Sequence, residues 1–348
     1  MQNRALVINE RKFFMEKPII YTVIPCYNEE EVLPETSSRL IKKYNDLSAG
    51  GMISDKSRIV LVNDGSKDAT WDIITKLQKE HSWFAGINLS RNRGHQNALL
   101  AGLMTSKDYA DAVISMDADL QDDINAMDEM IKKFSEGFDV VYGVRNKRKT
   151  DTFFKKTTAE AFYKLLKFLG ANIIYKHADY RLMSKRALFG LEKFSEVNLF
   201  LRGIVPMVGY KSTCVYYERA ERFAGESKYP LKKMLSFAID GVTSLSVEPI
   251  RMITRLGIFI FAVSMLVLLY SVIRWICGKT ATGWASLMCS VWAIGGLLLT
   301  SIGIIGEYVG KIYLETKRRP SFIISDLIGF DGKNDDNVGN NDKEESDK

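Results

Sequence analysis

Two acidic residues, Asp117 and Asp119, are separated by one residue and directly follow a short apolar run, residues 112–116. A bend after such a run can bring both carboxylates toward one cation. Hard oxygen ligands suit Mg²⁺ or Mn²⁺, which usually bind substrate phosphates as well. A cation that bridges a diphosphate offsets the charge that develops as the diphosphate leaves. An isolated Asp-x-Asp is a weak signal, and its position at the end of a buried strand strengthens it.

Polar residues follow three other predicted strands, at the point where each strand ends. The strands are residues 19–24, 58–62 and 84–89, and the polar sets that follow them are Asn28-Glu29, Asn63 to Ser66 and Ser90 to Asn92. Predicted helices at 30–47, 68–81 and 94–106 separate the strands. Alternation of apolar strands with helices predicts an α/β fold with a mostly parallel sheet, in which ligands bind beyond the carboxyl ends of the strands.

Composition excludes several classes of protein. The formal charge of +6, from 48 Lys+Arg against 42 Asp+Glu, is spread along 348 residues. No basic block typical of nucleic-acid binding is present, and the excess suits phosphorylated substrates or an anionic membrane surface. The four cysteines show no CxxC spacing, which argues against a zinc site or a disulfide framework. The N-terminal extension, residues 1–18, lacks the continuous apolar core of a signal peptide.

Two uncharged runs near the C-terminus, residues 256–273 and 284–305, are each long enough for a membrane-spanning helix. Their short connection predicts an antiparallel hairpin within residues 251–312, and two buried core helices are the alternative. Positive charge is concentrated outside the hairpin and sparse in its loop. The outer residues are Arg251, Arg255, Lys311, Lys317, Arg318 and Arg319, and the loop has Arg274 and Lys279. We therefore expect a multi-pass protein of the cell membrane whose large domain is cytoplasmic.

Three further segments flank the hairpin. Residues 231–250 combine basic and apolar positions at helical spacing, which predicts amphipathic helices lying on the membrane. An ordinary helix packed on the large domain is the alternative. Residues 313–330 are expected to be a cytoplasmic segment, and the polar composition of 331–348 predicts a disordered tail.

Four motifs together resemble those of family 2 glycosyltransferases of the polyprenyl-phosphate subgroup, which includes bactoprenol glucosyltransferases and dolichol-phosphate mannose synthases. The motifs are VIPCYNE at 23–29, VNDGS at 62–66, DADLQD at 117–122 and DYRLM at 179–183. The resemblance covers residues 19–327, including the paired C-terminal runs. It implies a GT-A (Rossmann-like) catalytic domain at 19–230, a metal-dependent inverting reaction, a nucleotide-sugar donor and a lipid-phosphate acceptor.

The resemblance also implies roles for individual residues. Asp117 and Asp119 match the metal and diphosphate pair, and the other matches on the donor side are Pro25, Tyr27, Glu29, Asp64, Gln121 and Arg145. Pro25, Tyr27 and Glu29 match the segment that contacts base and ribose, and Asp64 matches the acid that reads the nucleoside. Gln121 matches a residue beside the metal. Residues 122–125 depart from the prolines usual after the triplet, which leaves the loop geometry open.

On the acceptor side, Asp179 lies in a matched Asp-x-Arg segment with Arg181, where it acts as a base or orients the acceptor. A lipid phosphate is already anionic near neutral pH, so little proton removal is needed. Arg222, Ser227 and Lys228 match residues that meet the phosphates of donor or acceptor. His95 begins a predicted helix near the donor pocket, and we favour a structural role for it over a catalytic one.

The leading hypothesis is inverting sugar transfer from a nucleotide sugar, with UDP-glucose as first choice, to polyprenyl (undecaprenyl) phosphate at the cytoplasmic membrane face. The product would be a lipid-linked phosphosugar for cell-envelope glycosylation. Alternatives are a polysaccharide synthase, a non-catalytic membrane scaffold and a soluble nucleotidyltransferase. Members of this group can assemble as homo-oligomers through their membrane regions, and the sequence leaves the oligomeric state open.

Overall fold

A computed structural model describes residues 17–145, 177–194, 196, 200–218, 248–276 and 283–330. Its strands are β1 (Ile20–Cys26), β2 (Arg58–Asn63), β3 (Phe84–Leu89), β4 (Ala112–Ser115), β5 (Val140–Arg145), β6 (His177–Ser184), β7 (Ser212–Tyr217) and β8 (Ile324–Ile328). Its helices are α1 (Leu33–Ala49), α2 (Thr70–Glu80), α3 (His95–Ser106), α4 (Ala126–Ser135), α5 (Lys185–Glu192), α6 (Leu201–Met207), α7 (Glu248–Ile276) and α8 (Trp284–Thr316). The strands and helices predicted between residues 19 and 116 are confirmed, with small shifts at their ends.

All eight strands form one sheet in the order β7-β5-β6-β4-β1-β2-β3-β8. The central strands are parallel, since β1 pairs with β2 and β4 and β2 pairs with β3. Strand β6 is antiparallel to both β4 and β5, and β7 is parallel to β5. The predicted α/β fold with a mostly parallel sheet is confirmed, and the carboxyl ends of β1 to β4 meet at one edge.

Helices cover both faces of this sheet, as continuous apolar strands require. One core lies beneath α1, α2 and α4, with Leu40, Ile74 and Met130 among its buried side chains. The other lies beneath α3, α5 and α6, with Leu99 and Leu188 among its buried side chains. All seven residues of β1 are buried. The central strands are therefore held from both sides, and the loops at their ends start from fixed points.

The chain returns to the sheet after the last long helix. Strand β8 pairs antiparallel with β3, and the amide of Ser90 donates to the carbonyl of Ile323 at 3.0 Å. Beyond β8, the ring of Phe330 packs 5.2 Å from Tyr109 and 6.3 Å from Tyr21, measured between ring centroids. The segment expected to be a separate cytoplasmic stretch, residues 313–330, thus completes the sheet of the large domain.

The long helices α7 and α8 contain 29 and 33 residues and contact each other. They expose large apolar side chains, including Ile258, Phe259 and Leu299. Among the described residues, one helical stretch, 294–316, is long and apolar enough to cross a bilayer. The first span and the complete hairpin remain predictions. The expectations for residues 1–16, for the amphipathic segment at 231–247 and for the tail at 331–348 lie outside the described residues.

A glycine on α3 allows this helix to lie directly against the central strands. A Cβ built on Gly102 would overlap Val23 Cγ1 and would lie 2.9 Å from Val62 Cγ2. We expect Gly102→Ala to destabilise the fold by about 1–3 kcal/mol, because a packed interior accommodates an added methyl group poorly. Thermal unfolding of the purified full chain measures the effect. Gly296→Ala, where a Cβ meets nothing within 4 Å, is the control, and equal unfolding temperatures for the two variants would contradict the prediction.

Candidate active site

The loop after β1 is tied to the loop after β2 by backbone and side-chain hydrogen bonds. Asn28 adopts a positive φ of 53°, a conformation that Asn tolerates better than most residues. Its amide donates to Ser66 Oγ at 3.0 Å, and its own Oδ1 accepts from the amide of Lys67 at 3.0 Å. The amide of Glu29 donates to Thr70 Oγ1 at 2.9 Å. The conformation of each loop is therefore stabilised by the other.

Three predicted donor residues lie in or beside this loop. Pro25 is buried within β1. The last residue of β1 that pairs with β4 is Val23, so the missing N–H of Pro25 removes no hydrogen bond between these two strands. Tyr27 is 43% exposed at the edge of the sheet. Glu29 follows it in the same loop. The structure places Tyr27 and Glu29 where a ligand can reach them, and their contact with a nucleotide stays a prediction.

Asp64 joins the second loop to the third. Its carboxylate accepts from the amides of Arg93 and Gly94, at 2.7 Å and 2.9 Å. Burial raises the pKa of Asp64, and these two hydrogen bonds act in the opposite direction. In the structure, the side chain of Asp64 holds the start of α3 against the end of β2. The nucleoside contact implied by the resemblance is not tested by this geometry and stays a prediction.

The chain turns sharply directly after the Asp117–Asp119 segment. Leu120 has a positive φ of 56°, which is unusual for a bulky residue and is typical of functional loops. Asp119 Oδ1 accepts from the amide of Gln121 at 3.2 Å, and the carbonyl of Ala118 accepts from Thr36 Oγ1 at 2.9 Å. Burial, opposed by His95 and reinforced by nearby carboxylates, raises the pKa of Asp117 to about 6. This bend is therefore a site of concentrated negative charge.

Asp179 lies beside the triplet and is held by two arginines. Arg181 Nη2 donates to its Oδ1 at 2.6 Å, and Arg202 Nη2 donates to its Oδ2 at 2.9 Å. Arg181 is 1% exposed, and its Nε finds no partner among the described residues. Burial alone would raise the pKa of Asp179, but the two guanidinium groups hold it well below its usual range. Sequence reasoning missed Arg202, which lies on α6 and carries no local motif.

His95, at the first position of α3, connects the two acidic groups. Its Nε2 lies 3.5 Å from Asp117 Oδ1 and 3.8 Å from Asp179 Oδ2. The structure thus places the imidazole inside the site, between the triplet and the arginine-bound carboxylate. Sequence analysis favours a structural role for this residue, and the distances place it where it can also meet a ligand.

A second buried acid lies just after the triplet. Asp122 is 3% exposed, and its Oδ1 accepts from Arg145 Nη2 at 3.1 Å and from the hydroxyl of Tyr217. Its Oδ2 has no partner in the described part of the chain. Tyr180 packs edge-on against Tyr217, with ring centroids 5.4 Å apart. The departure from the family pattern at residues 122–125 therefore includes the residue that holds Arg145, a predicted donor ligand.

The acidic triplet fits a cation that is shared with a substrate. Within the described ranges, no group of three or more His, Cys, Asp or Glu residues is arranged to hold a metal ion by itself. Asp117 and Asp119 supply two carboxylates, and burial raises the pKa of Asp117. Mg²⁺ is commonly bound by one or two carboxylates together with substrate phosphates and water. The pair, with Gln121 beside it, satisfies that description.

The structure brings most of the predicted site residues to one edge of the sheet. The triplet, Asp179, Arg181, Gln121 and Arg145 surround one region, and Tyr27, Glu29 and Asp64 lie on the adjoining loops. Arg222, Ser227 and Lys228, the predicted phosphate ligands, lie outside the described residues.

Comparison with known proteins agrees with this arrangement. Residues 21–189 match the family model described as Glycosyl transferase family 2. The glycosyltransferase YkoT of Bacillus subtilis (strain 168) is 53% identical over 308 residues, which are 88% of this chain and 91% of the relative. The chain belongs to glycosyl transferase family 2. Membership makes it a glycosyltransferase and confirms the predicted family.

Other relatives of this family 2 glycosyltransferase carry more specific names. The bactoprenol glucosyl transferase of Shigella phage SfV is 38% identical over 309 residues, covering 88% of this chain and 97% of the relative. Glucosyl-3-phosphoglycerate synthase from Mycobacterium tuberculosis, solved in complex with Mn²⁺ and UDP-glucose, is 17% identical with a TM-score of 0.42. That match covers 68% of this chain and 81% of the solved one.

Asp122 is expected to matter for the glycosyltransferase through Arg145. Asp122→Asn keeps the shape of the side chain and removes its charge, so Arg145 loses its ion pair and its fixed direction. We expect sugar transfer to fall by about tenfold or more, because charge-assisted hydrogen bonds are worth about 1.5–3 kcal/mol. Steady-state rates measure the loss. Tyr217→Phe removes the neutral hydroxyl that donates to the same oxygen and accepts from Arg145 Nε at 3.2 Å, but it leaves the ion pair. It should therefore cause a smaller loss, and an equal loss in both variants would contradict the assignment.

The Asp179–Arg202 pair predicts a pH-dependent difference in stability. A carboxylate with a lowered pKa stabilises the fold above its unfolded pKa of about 3.9, and this stabilisation is lost as pH falls toward the folded value. In Arg202→Gln, the pKa of Asp179 is lowered less. The unfolding temperature of this variant should therefore lie below that of the unmodified protein by a constant amount from pH 5 to 8. The gap should narrow below about pH 4. Scanning calorimetry of both proteins measures it, and a gap that widens on acidification would be inconsistent with this pairing.

Proposed function

We propose that this glycosyltransferase moves a sugar from a nucleotide sugar to a polyprenyl phosphate, with inversion at the anomeric carbon. The observation that carries the proposal is the state of Asp179. Two guanidinium groups neutralise this carboxylate, so it is a poor proton acceptor near neutral pH. A sugar hydroxyl needs a base as it attacks, whereas a phosphate arrives as an anion. The site therefore favours a phosphate acceptor.

Asp179 also orients a guanidinium group that can bind the acceptor. Arg202 is 44% exposed and points its Nη2 at Asp179, so part of its guanidinium faces the open side of the site. Guanidinium groups bind phosphate oxygens through paired donors. In the proposal, Asp179 orients Arg202, and Arg202 meets the acceptor phosphate. Arg222, Ser227 and Lys228 are proposed to complete the phosphate contacts from the segment that precedes α7.

The donor occupies the opposite side of the triplet in this proposal. Asp117 and Asp119, with Gln121, would hold Mg²⁺ or Mn²⁺ together with the donor diphosphate. When bound, the cation offsets the charge on the departing nucleoside diphosphate. Arg145, held by Asp122, adds a fixed positive charge nearby. Tyr27 and Glu29, on the exposed loop after β1, are proposed to contact the base and ribose.

UDP-glucose is the first donor to test, before UDP-N-acetylhexosamines and GDP-mannose. Support comes from the names of relatives at 38% identity, which are bactoprenol glucosyl transferases. The side chains described around the triplet bind phosphate and nucleoside, and none of them distinguishes one sugar by itself. The lipid product would serve cell-envelope glycosylation.

Membrane attachment is proposed through α7 and α8 as a two-helix hairpin, with the catalytic domain in the cytoplasm. Support comes from the chain path, because α7 begins after β7 of the sheet and the chain leaving α8 pairs with β3. The chain before residue 219 and the chain after residue 323 thus belong to one sheet, and an even number of crossings between them is proposed. Basic residues flank both outer ends, which is typical of the cytoplasmic side. The lipid tail of the acceptor would stay in the bilayer while its phosphate reaches the triplet.

Transfer to lipid is the direct test. Membranes containing the full chain are incubated with Mg²⁺ or Mn²⁺, undecaprenyl phosphate and radiolabelled UDP-glucose, and the lipid is extracted with organic solvent. We expect label in the lipid fraction that mild acid releases as free sugar. Label that enters no lipid with any of the three donor classes would overturn the proposal.

The same assay tests the metal pair. Asp119→Ala should reduce transfer by at least about a hundredfold, since electrostatic groups at a reacting centre are each worth about 2.7–4 kcal/mol. Asp123→Asn, four residues away with its Oδ1 on the amide of Asn125, keeps its acceptor oxygen and is the control. Full transfer by Asp119→Ala in correctly inserted protein would refute the role given to this residue.

A further inference from the structure

We propose that Asp326, on the strand that returns from the long helices, is a positioning residue for the nucleotide donor and acts through Asn88 and Asn63. The inference rests on the proposed function in one respect, namely that the loops after β1 and β2 bind the nucleotide. The roles proposed for the acidic triplet and for the acceptor side do not involve Asp326. Asp326, Asn88 and Asn63 form a row of three polar side chains across three strands.

The three side chains are aligned by the register of the sheet. Asn63 pairs with Asn88 across β2 and β3, and Asn88 pairs with Asp326 across β3 and β8. Asn63 Nδ2 donates to Asn88 Oδ1 at 2.8 Å, and Asn88 Nδ2 donates to Asp326 Oδ2 at 2.7 Å. Cross-strand neighbours on one face are close enough to bond in this way. We name this row, Asn63–Asn88–Asp326, the amide ladder.

The carboxylate at its end gives the amide ladder a direction. An ionised carboxylate only accepts hydrogen bonds, whereas an amide both donates and accepts. Asp326 therefore requires the Nδ2 of Asn88, which leaves the Oδ1 of Asn88 facing β2. That oxygen in turn requires the Nδ2 of Asn63, so the Oδ1 of Asn63 faces the turn after β2. One charge on β8 thus fixes the orientation of two amides.

The ordered amide of Asn63 then holds the donor loops. Its Oδ1 accepts from the amide of Ser66 at 3.2 Å, and Ser66 Oγ accepts from the amide of Asn28 at 3.0 Å. Asn28 lies between Tyr27 and Glu29, the proposed nucleotide contacts. If Asn63 turned over, its Nδ2 would face the Ser66 N–H and two donors would meet. The conformation of the β1 loop is therefore connected to Asp326 by a continuous series of hydrogen bonds.

A second set of contacts joins the returning segment to the same region. The guanidinium of Arg93 donates to the carbonyl of Pro320, and the amide of Ser90 donates to the carbonyl of Ile323. The amide of Arg93 is also one of the two that bind Asp64. The segment that follows α8 thus contacts the loop after β3 directly and the loops after β1 and β2 through the amide ladder.

The order of the strands separates the amide ladder from the acceptor side of the site. Strands β2, β3 and β8 lie on one side of β1, whereas β4 and β6, which carry the triplet and Asp179, lie on the other. Loss of Asp326 should therefore change donor binding and leave acceptor binding alone. A residue with a merely structural role would lower stability or the yield of active protein without this selectivity.

The test uses the full chain in detergent with the donor that supports transfer. Asp326→Ala should raise the KM for donor by about three- to tenfold, as expected for one charge-assisted hydrogen bond near the surface. The KM for undecaprenyl phosphate and kcat should stay within about twofold, well below the effect of that bond. Asp326→Asn should recover part of the loss, since its amide oxygen can still accept from Asn88 but the orientation of the amide ladder is no longer fixed by a group that only accepts. Ser325→Ala, an exposed neighbour on the same strand, is the matched control.

The outcomes separate this inference from the proposed function. Transfer by the unmodified protein together with an unchanged donor KM in Asp326→Ala, or equal rises in both KM values, would overturn the inference and leave the function standing. Absence of transfer to lipid phosphate would contradict the function instead. In that case, calorimetry tests the inference by measuring the binding of UDP and GDP with Mn²⁺ and without acceptor. The inference requires weaker binding to Asp326→Ala and partial recovery in Asp326→Asn.

Discussion

The arrangement of this protein depends on negative charge concentrated at the carboxyl edge of a parallel sheet. Asp117, Asp122 and Asp179 are brought within a short distance of one another in a partly desolvated region, which is costly unless cations are near. Two of them have built-in partners, since Arg181 and Arg202 bind Asp179 and Arg145 binds Asp122. Asp117 instead lies 3.5 Å from the imidazole of His95, and burial keeps the pKa of its carboxyl high. In the proposed function, the two carboxylates that have arginine partners lie beside the position at which a cation would bind.

The scaffold explains how so many charged groups can be held in place. Loops after four parallel strands start side by side, and the loops after β1, β2 and β3 are joined by side-chain hydrogen bonds. Ser66 connects the first loop to the second, and Asp64 connects the second to the third. Loops bound in this way lose little conformational entropy when a ligand arrives. Asn28, which has a positive φ, lies within this set of joined loops.

Much of this was predictable from the sequence because it depends on local patterns. Apolar runs of strand length and helices between them give β1 to β4 in order, and polar residues after each run give the edge that binds ligand. The contacts that were missed join residues far apart in the chain. Arg202 reaches Asp179 from a short helix without a motif, and the buried state of Asp122 depends on Tyr217, which is 95 residues away. Strand β8 did leave a signal, a β-branched run between Pro320 and Gly329, but its partner β3 lies more than 230 residues earlier.

The late arrival of β8 has a consequence for biosynthesis. Until residues 324–328 emerge from the ribosome, β3 is an edge strand with unpaired N–H and C=O groups, and exposed edges of this kind invite pairing with other chains. Two long apolar helices must be made before the strand that closes this edge. The domain can begin to fold early, but its sheet is completed last, after both helices have been synthesised. A chain in which residues 324–328 fail to pair would keep an open β3 edge, which promotes aggregation.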